Sequence, residues 1–256
     1  MPSSLIIKLK SSTLFLIFKK LKDVIVHYSP LTYLNYKKDI SFYSKFLQQG
    51  DLCFDIGANK GEKAKIFLAL GAKVICVEPQ SALKKEFDTK FKNTPNVIFV
   101  NKGLADQEGW GELALCETDN TLATLSSAWI QNSRFSKSHN WHSKEKIPLT
   151  TLDLLIKKYG VPKFCKIDVE GYEVNVIKGL SQSIPFIAFE FTKEELTNAK
   201  IVLAHLKKIG SIVINYTLGE KNQFIENSWL SPEEIISKLE KNKDPLLWGD
   251  IYVKFI

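Results

Sequence analysis

In the run FCKIDVEGYE (164–173), Phe164, Cys165, Ile167 and Val169 suit a buried strand. Asp168, Glu170 and Glu173 nevertheless place three carboxylates at or just past its end. Glu190 repeats the arrangement near the end of a second apolar run, PFIAFEF (185–191). Carboxylates so placed can take a proton from a reacting group, or hold a divalent cation that acidifies a hydroxyl; they also form ordinary hydrogen-bonded networks. Asp168 is the first candidate for a general base and Glu170 the alternative. Asp168 and Glu190 are the pair that could hold a cation, although no metal is assigned. Glu173 falls in the first turn of a helix, where an acid suits the helix dipole. Strand alternation puts Lys166 on the side of Asp168, so a buried Lys166–carboxylate pair is the plain structural alternative.

A second group of residues has the spacing of a nucleotide site. DIGANKGE (55–62) sets Gly57 and Gly61 where a strand turns into its helix, and Glu78 closes the next strand 21 residues after Gly57. A carboxylate there can accept hydrogen bonds from both hydroxyls of a ribose, so an adenosine-containing ligand is expected. A pyrophosphate site wants G-x-G-x-x-G; here the run is G-A-N-K-G, with Asp55 two residues ahead. A carboxylate would repel pyrophosphate and attract the ammonium of S-adenosylmethionine. The pattern leans to the methyl donor over NAD, and no P-loop lysine is present. The plain alternative is that Asp55 caps the following helix.

These residues need a scaffold, and the surrounding runs supply one. Buried strands are expected at 52–57, 73–79, 96–103, 164–170, 185–191, 211–217 and 250–256, with helices at 59–70, 81–91, 151–160, 172–180 and 198–210. Strand–helix alternation of this kind means βαβ units and a parallel sheet. Between its halves, GELALCE (111–117) and KIPLTT (146–151) look like a strand pair. They flank a long polar loop, 118–145, a candidate substrate cap. Within it, His139 and His142 form an i, i+3 pair that is incomplete as a metal site; it reads either as a loop base or as a solvated surface pair. Trp129 and Trp141 could stack on a sugar or pin the loop.

At this point the chain resembles a known family. FDIGANKG, VEP and TLDLLIKKYGVPKFCKIDVEGYEVNVIKGL resemble the FkbM family of S-adenosylmethionine-dependent methyltransferases, over about residues 50–195. The resemblance implies a class I methyltransferase, Rossmann-like α/β fold: a seven-stranded, mostly parallel sheet with helices on both faces and its last strand antiparallel. It also implies methylation of a hydroxyl, on a sugar of a cell-surface glycan or its precursor or on a small molecule. Asp55, Gly57, Asn59, Gly61 and Glu78 match the cofactor motifs; Lys166, Asp168, Glu170, Gly171 and Glu173 match the family signature. An NAD-dependent oxidoreductase, and a membrane-associated scaffold that keeps the fold without catalysis, remain the rival readings.

Composition sets the outer bounds. The 256 residues are 45% hydrophobic and 25% charged, as in an ordinary folded protein. Of the net charge of +7, six units come from residues 1–48, which hold eight lysines against Asp23 and Asp39. Residues 1–48 are therefore read as a basic N-terminal helical extension and 49–256 as the methyltransferase domain. Arg134 is the only arginine, which argues against a nucleic-acid partner. Leu5–Val26 has too many lysines to span a bilayer. Leu14, Phe18, Leu21 and Ile25 instead follow helical spacing, as in an amphipathic helix packed on the domain or lying on an anionic membrane surface. Four cysteines without CxxC spacing read as buried thiols in a reducing cytoplasm, so a cytoplasmic protein, at the inner membrane surface if that helix binds lipid, is expected.

Overall fold

The structure, a computed structural model, describes residues 30–256; the amphipathic segment expected at Leu5–Val26 lies outside them. The chain divides into two compact units, Met1–Ser41 and Phe42–Ile256. Helix α1 (Pro30–Tyr43) begins in the first, where it exposes Tyr33, Leu34 and Tyr36, and its last two residues, Phe42 and Tyr43, belong to the second. No helix among the described residues is long and apolar enough to cross a membrane.

The second unit is built on a seven-stranded sheet. Its strands are β1 (Leu52–Ile56), β2 (Lys73–Val77), β3 (Val97–Val100), β7 (Phe164–Ile167), β8 (Phe186–Thr192), β9 (Ile212–Tyr216) and β10 (Trp248–Phe255), in spatial order 3-2-1-7-8-10-9. Pairs β1–β2, β2–β3, β1–β7 and β7–β8 are parallel, whereas β10 runs antiparallel to both β8 and β9. The last strand is thus the inverted one, as the family resemblance implies. A three-stranded sheet is separate: β4 (Gly103–Leu104), β6 (Ser143–Thr150) and β5 (Gly109–Leu115), in that order, the expected strand pair being β5 and β6 in antiparallel register.

Alternation along the strands divides the core by chemistry. One face is mainly aliphatic. Cys165 and Ile167 of β7 with Ile187 and Phe189 of β8 meet Leu152, Leu155 and Ile156 of α5 (Leu152–Tyr159), Val176 and Ile177 of α6 (Glu173–Lys178), and Val202, Leu203 and Leu206 of α7 (Leu196–Ile209). Helix α5 starts where Thr151 accepts the Leu154 N–H (3.2 Å) and stops at Gly160, whose φ of 98° few other residues adopt. The opposite face is aromatic: Phe46 stacks on Phe164 (5.1 Å between centroids) and on Tyr252 (5.4 Å), and Tyr43 meets Phe67 edge-on. Phe67 belongs to α2 (Glu62–Ala69), and Phe87 of α3 (Ser81–Lys90) packs on Phe99 of β3.

The polar loop between β5 and β6 is ordered. It holds a 3-10 turn (Asn120–Leu122) and helix α4 (Ser127–Asn132), capped by the Ser126 hydroxyl, which accepts the Trp129 N–H. Helix α8 (Pro232–Lys241), opened by a Ser231–Glu234 capping box, fills the connection between β9 and β10. All four cysteines are buried and free.

Candidate functional site

The chain enters the sheet at β1 and moves outward through β2 and β3, then returns to lay β7 on the other side of β1. Open α/β sheets bind ligands at such a switch point, beyond the carboxyl ends of the strands. A cavity of about 440 Å³ lies there, within the usual range for small-molecule sites. Asp55, Gly57, Asn59 and Glu78 line it from one side, Lys166, Asp168 and Glu170 from the other.

Gly57 has φ 78° because β1 turns at once. A Cβ on it would stand 1.7 Å from the Asp168 carbonyl oxygen. A close approach between two stretches of backbone, the ends of β1 and β7, therefore requires glycine here. Gly61 (φ 72°) does not line the cavity. Its missing side chain makes room for Phe87 and Phe91, which a Cβ would meet at 2.9 and 2.7 Å. Its lack of a side chain serves the packing between α2 and α3.

Asp55 and Glu78 are each about 3% exposed. Burial pushes the Asp55 carboxyl up to about 7 against the pull of Lys166, and its Oδ2 has no hydrogen-bond partner. A buried acceptor left unpaired is costly, and a cationic ligand group would satisfy it. Glu78 receives the Asn59 N–H on Oε2 and the Gln80 N–H on Oε1, both at 2.9 Å. Burial raises its carboxyl in spite of those donors. Each oxygen keeps a lone pair for ribose hydroxyls. Asn59, itself left-handed at φ 45°, donates from Nδ2 to the Asn120 carbonyl, as does Gln80 from Nε2. These bonds draw the β5–β6 arm against the cofactor turn.

On the far side, carboxylate oxygens of Asp168, Glu170 and Glu190 lie within 4.8 Å of one another, the one such grouping among the described residues. Asp168 and Glu170 line the cavity; Glu190 reaches the cluster from β8 without lining it. Burial first, and Asp168 second, raise both glutamates well above the usual carboxylate range. The spacing is one that a divalent cation could span. Glu170 takes φ 53°, held by the Thr124 hydroxyl, which donates to its carbonyl (2.7 Å). Glu173 is buried at the start of α6, where its Oε1 accepts the Val169 N–H (3.3 Å), and burial lifts it to about 7.

Sequence reasoning missed Asp250 and understated Lys166. Lys166 is 2% exposed and contacts Asp168 Oδ2 and Asp250 Oδ1, each at 3.1 Å. It also faces the cavity, as its alternation with Asp168 allows. His139 and His142 do not line the cavity; His139 Nδ1 hydrogen-bonds Ser138 Oγ and the ring packs on Phe135. Trp129 and Trp141 pin the arm: Trp129 is 2% exposed, and Trp141 Nε1–H donates to the Leu122 carbonyl (2.8 Å).

Strand order, inverted last strand and a switch-point cavity with acids at the ends of β1 and β2 together define a class I S-adenosylmethionine-dependent methyltransferase. The methyltransferase FkbM domain matches residues 55–244. The chain belongs to the FkbM methyltransferase family, and its cofactor is S-adenosylmethionine. No curated protein matches the chain by sequence. Among solved structures it is similar to precorrin-6y C5,15-methyltransferase from Geobacter metallireducens (13% identity, TM-score 0.44, 85% of this chain and 86% of that one). It is similar also to an rRNA methylase from Streptococcus thermophilus (9%, 0.41, 85% and 93%). A third likeness is fibrillarin from Aeropyrum pernix with natively bound S-adenosyl-L-methionine (9%, 0.38, 86% and 75%).

Proposed function

We propose that the chain transfers the methyl group to a hydroxyl, on a sugar of a cell-surface glycan or its precursor, with Asp168 as the base. The observation that carries this is the position of Asp168. It lines the cofactor cavity and also belongs to the acid cluster, with Oδ2 taken by Lys166. S-adenosylmethionine supplies a methyl group on a sulfonium, and the products are the methyl ether and S-adenosylhomocysteine. The unpaired Asp55 Oδ2 fits its ammonium, and Glu78 its ribose hydroxyls.

Methyl transfer is an in-line displacement, so the site acts chiefly by alignment. Asp168 Oδ1 takes the hydroxyl proton as the new bond forms. Glu170, which lines the cavity beside Asp168, can hydrogen-bond a neighbouring hydroxyl of a polyol. That supports a sugar over an isolated alcohol, and the acids disfavour a phosphate-bearing acceptor. The basic first 48 residues, in which exposed Lys37 and Lys38 follow exposed Tyr33 and Leu34, would favour an acceptor at an anionic membrane surface. Co-sedimentation with anionic but not neutral vesicles tests that part; loss of both removes it.

The central test uses methyl-tritiated S-adenosylmethionine with a panel of oligosaccharides and glycolipid precursors. Label should enter an alkali-stable ether with wild-type protein. With Asp168→Asn it should not, while S-adenosylhomocysteine still binds. Unchanged turnover of Asp168→Asn would remove Asp168 from the reaction, and label in an ester or amine would replace the acceptor class.

A further inference from the structure

The polar cluster at the carboxyl end of the sheet contains more acid than its surroundings can solvate, and one buried cation bears on all of it. Asp55 of β1, Asp168 beyond β7, Glu170 in the following turn, Glu190 of β8 and Asp250 of β10 all feel Lys166. Glu173 adds a sixth carboxyl that bears on Glu170 and Glu190, and the Tyr43 hydroxyl faces Lys166 from α1. Strand registers explain the convergence. Asp55 pairs with Lys166 across β1–β7, Lys166 with Ala188 across β7–β8, and Asp250 with Glu190 across β8–β10. Ala188 and Glu190 are two residues apart on β8, so Asp55, Lys166, Glu190 and Asp250 leave the same face of the sheet.

The ammonium of Lys166 has three N–H groups and three acceptors: Asp168 Oδ2 and Asp250 Oδ1 at 3.1 Å, and the Ile167 carbonyl at 3.5 Å. The two carboxylates are its close partners, so Lys166 acts through what it holds. The two aspartates it holds differ. The Asp168 side chain is 41% exposed and lines the cavity; the Asp250 side chain is 18% exposed and does not. Asp250 is the anchor and Asp168 the working end. With Oδ2 fixed, the other oxygen of Asp168 is the one left to face an acceptor.

We propose that Lys166, anchored by Asp250, is a positioning residue for methyl transfer: it holds the Oδ2 of Asp168 and so aims the Oδ1 of that residue at the acceptor hydroxyl. Burial alone would push Lys166 down; Asp168 and Asp250 hold it well above its ordinary value, so it stays a cation. The inference rests on Asp168 being the base, and only its first reading, the titration, does not need the acceptor.

The experiment is a carboxyl-carbon NMR titration of the full chain labelled at aspartate, with the Asp168 signal assigned by its loss in Asp168→Asn. In Lys166→Met the Asp168 midpoint should rise by about one unit or more, since an adjacent cation is lost. Lys166→Arg should bring it back. In Asp250→Asn it should fall, because a like charge is removed and Lys166 is left to Asp168. A purely structural pair would move the midpoint as well, so the deciding readout is the pH profile of methyl transfer: its acidic limb should move in Lys166→Met and return in Lys166→Arg, and an unmoved limb overturns the proposal. Midpoints that stay within about 0.3 unit in both variants overturn the proposal too, and if Lys166→Met does not fold, the direction of the limb in Asp250→Asn decides. Turnover of Asp168→Asn, measured separately, tests the base assignment, so the two failures are distinguishable.

Discussion

Gly57 and Asp168 touch through their backbones: a Cβ on the glycine would lie 1.7 Å from the Asp168 carbonyl oxygen. The Asp168 N–H continues the ladder by donating to the Ile56 carbonyl (2.9 Å). One contact thus sets the distance between the cofactor turn and the acid cluster. Gly57→Ala would meet both the overlap and an unfavourable φ of 78°, at a cost of about 3 kcal/mol or more. Expected is a fall in melting temperature together with loss of S-adenosylhomocysteine binding, read by calorimetry. A variant that melts and binds like wild type would mean that the two turns are not coupled.

Asp55 makes cofactor binding depend on pH. Its folded value of about 7 lies above the unfolded one, so the folded chain holds a proton that the unfolded chain releases. Its contribution to stability is therefore fully present below the unfolded value and is lost as pH rises to about 7. Binding of an ammonium requires the ionised form. S-adenosylhomocysteine affinity should rise between pH 6 and 8, roughly tenfold per unit below the folded value, with proton release seen as buffer-dependent heat. Asp55→Asn should flatten this dependence, weaken binding, and stabilise the free protein more at pH 8 than at pH 5. Equal pH dependence in the variant would assign the proton elsewhere.

How much of this was legible in the sequence follows from the range of each interaction. Strand and helix periods identify the seven strands, and the turn residues place Asp55, Glu78 and Asp168 at strand ends. Asp250 could not be found that way. It meets Lys166 only because β10 enters the sheet antiparallel between β8 and β9, and nothing local in WGDIYV signals that neighbour. Gly61 has the spacing of a cofactor glycine, yet its φ and missing side chain serve Phe87 and Phe91. Helix α4 has six residues and little amphipathic pattern; Trp129 holds it, buried with Cys116 and Leu122. Propensity alone is too weak to stabilise so short a helix.

Burial, and after it the like charges of Asp168 and Glu170, raise Glu190. Its folded value exceeds the unfolded one, so it too removes stability as pH rises. Glu190→Gln keeps the shape and removes the charge. The gain in melting temperature of the free protein should be larger at pH 8 than at pH 5, where the unfolded group is already partly protonated. Thermal scans at the two values check this. A loss of stability at pH 8 would show that the charge is paired after all, as by a bound cation.

Arg134 connects the arm to the catalytic half of the sheet. Its guanidinium donates from Nε and NH2 to the two Glu194 oxygens (2.9 and 2.7 Å), and from NH1 to the Leu246 carbonyl (2.8 Å). Glu194 follows β8 and Leu246 precedes β10, so one side chain ties three segments. Trp129, on the same arm, covers Gly171 so closely that a Cβ there would meet its ring at 2.3 Å. The cofactor edge of the arm is held separately, by Asn120 to Asn59 and Gln80. Arg134→Ala should therefore loosen residues 127–142 without disturbing the cofactor turn. Amide exchange in that stretch should quicken by about tenfold or more, as loss of a charge-assisted bidentate bond implies. The KM for the acceptor should rise while affinity for S-adenosylhomocysteine stays within about twofold, a free-energy change smaller than one ordinary hydrogen bond. If cofactor affinity falls in step with the acceptor, the arm moves as one piece, and Arg134 holds the cofactor site as well as the cap.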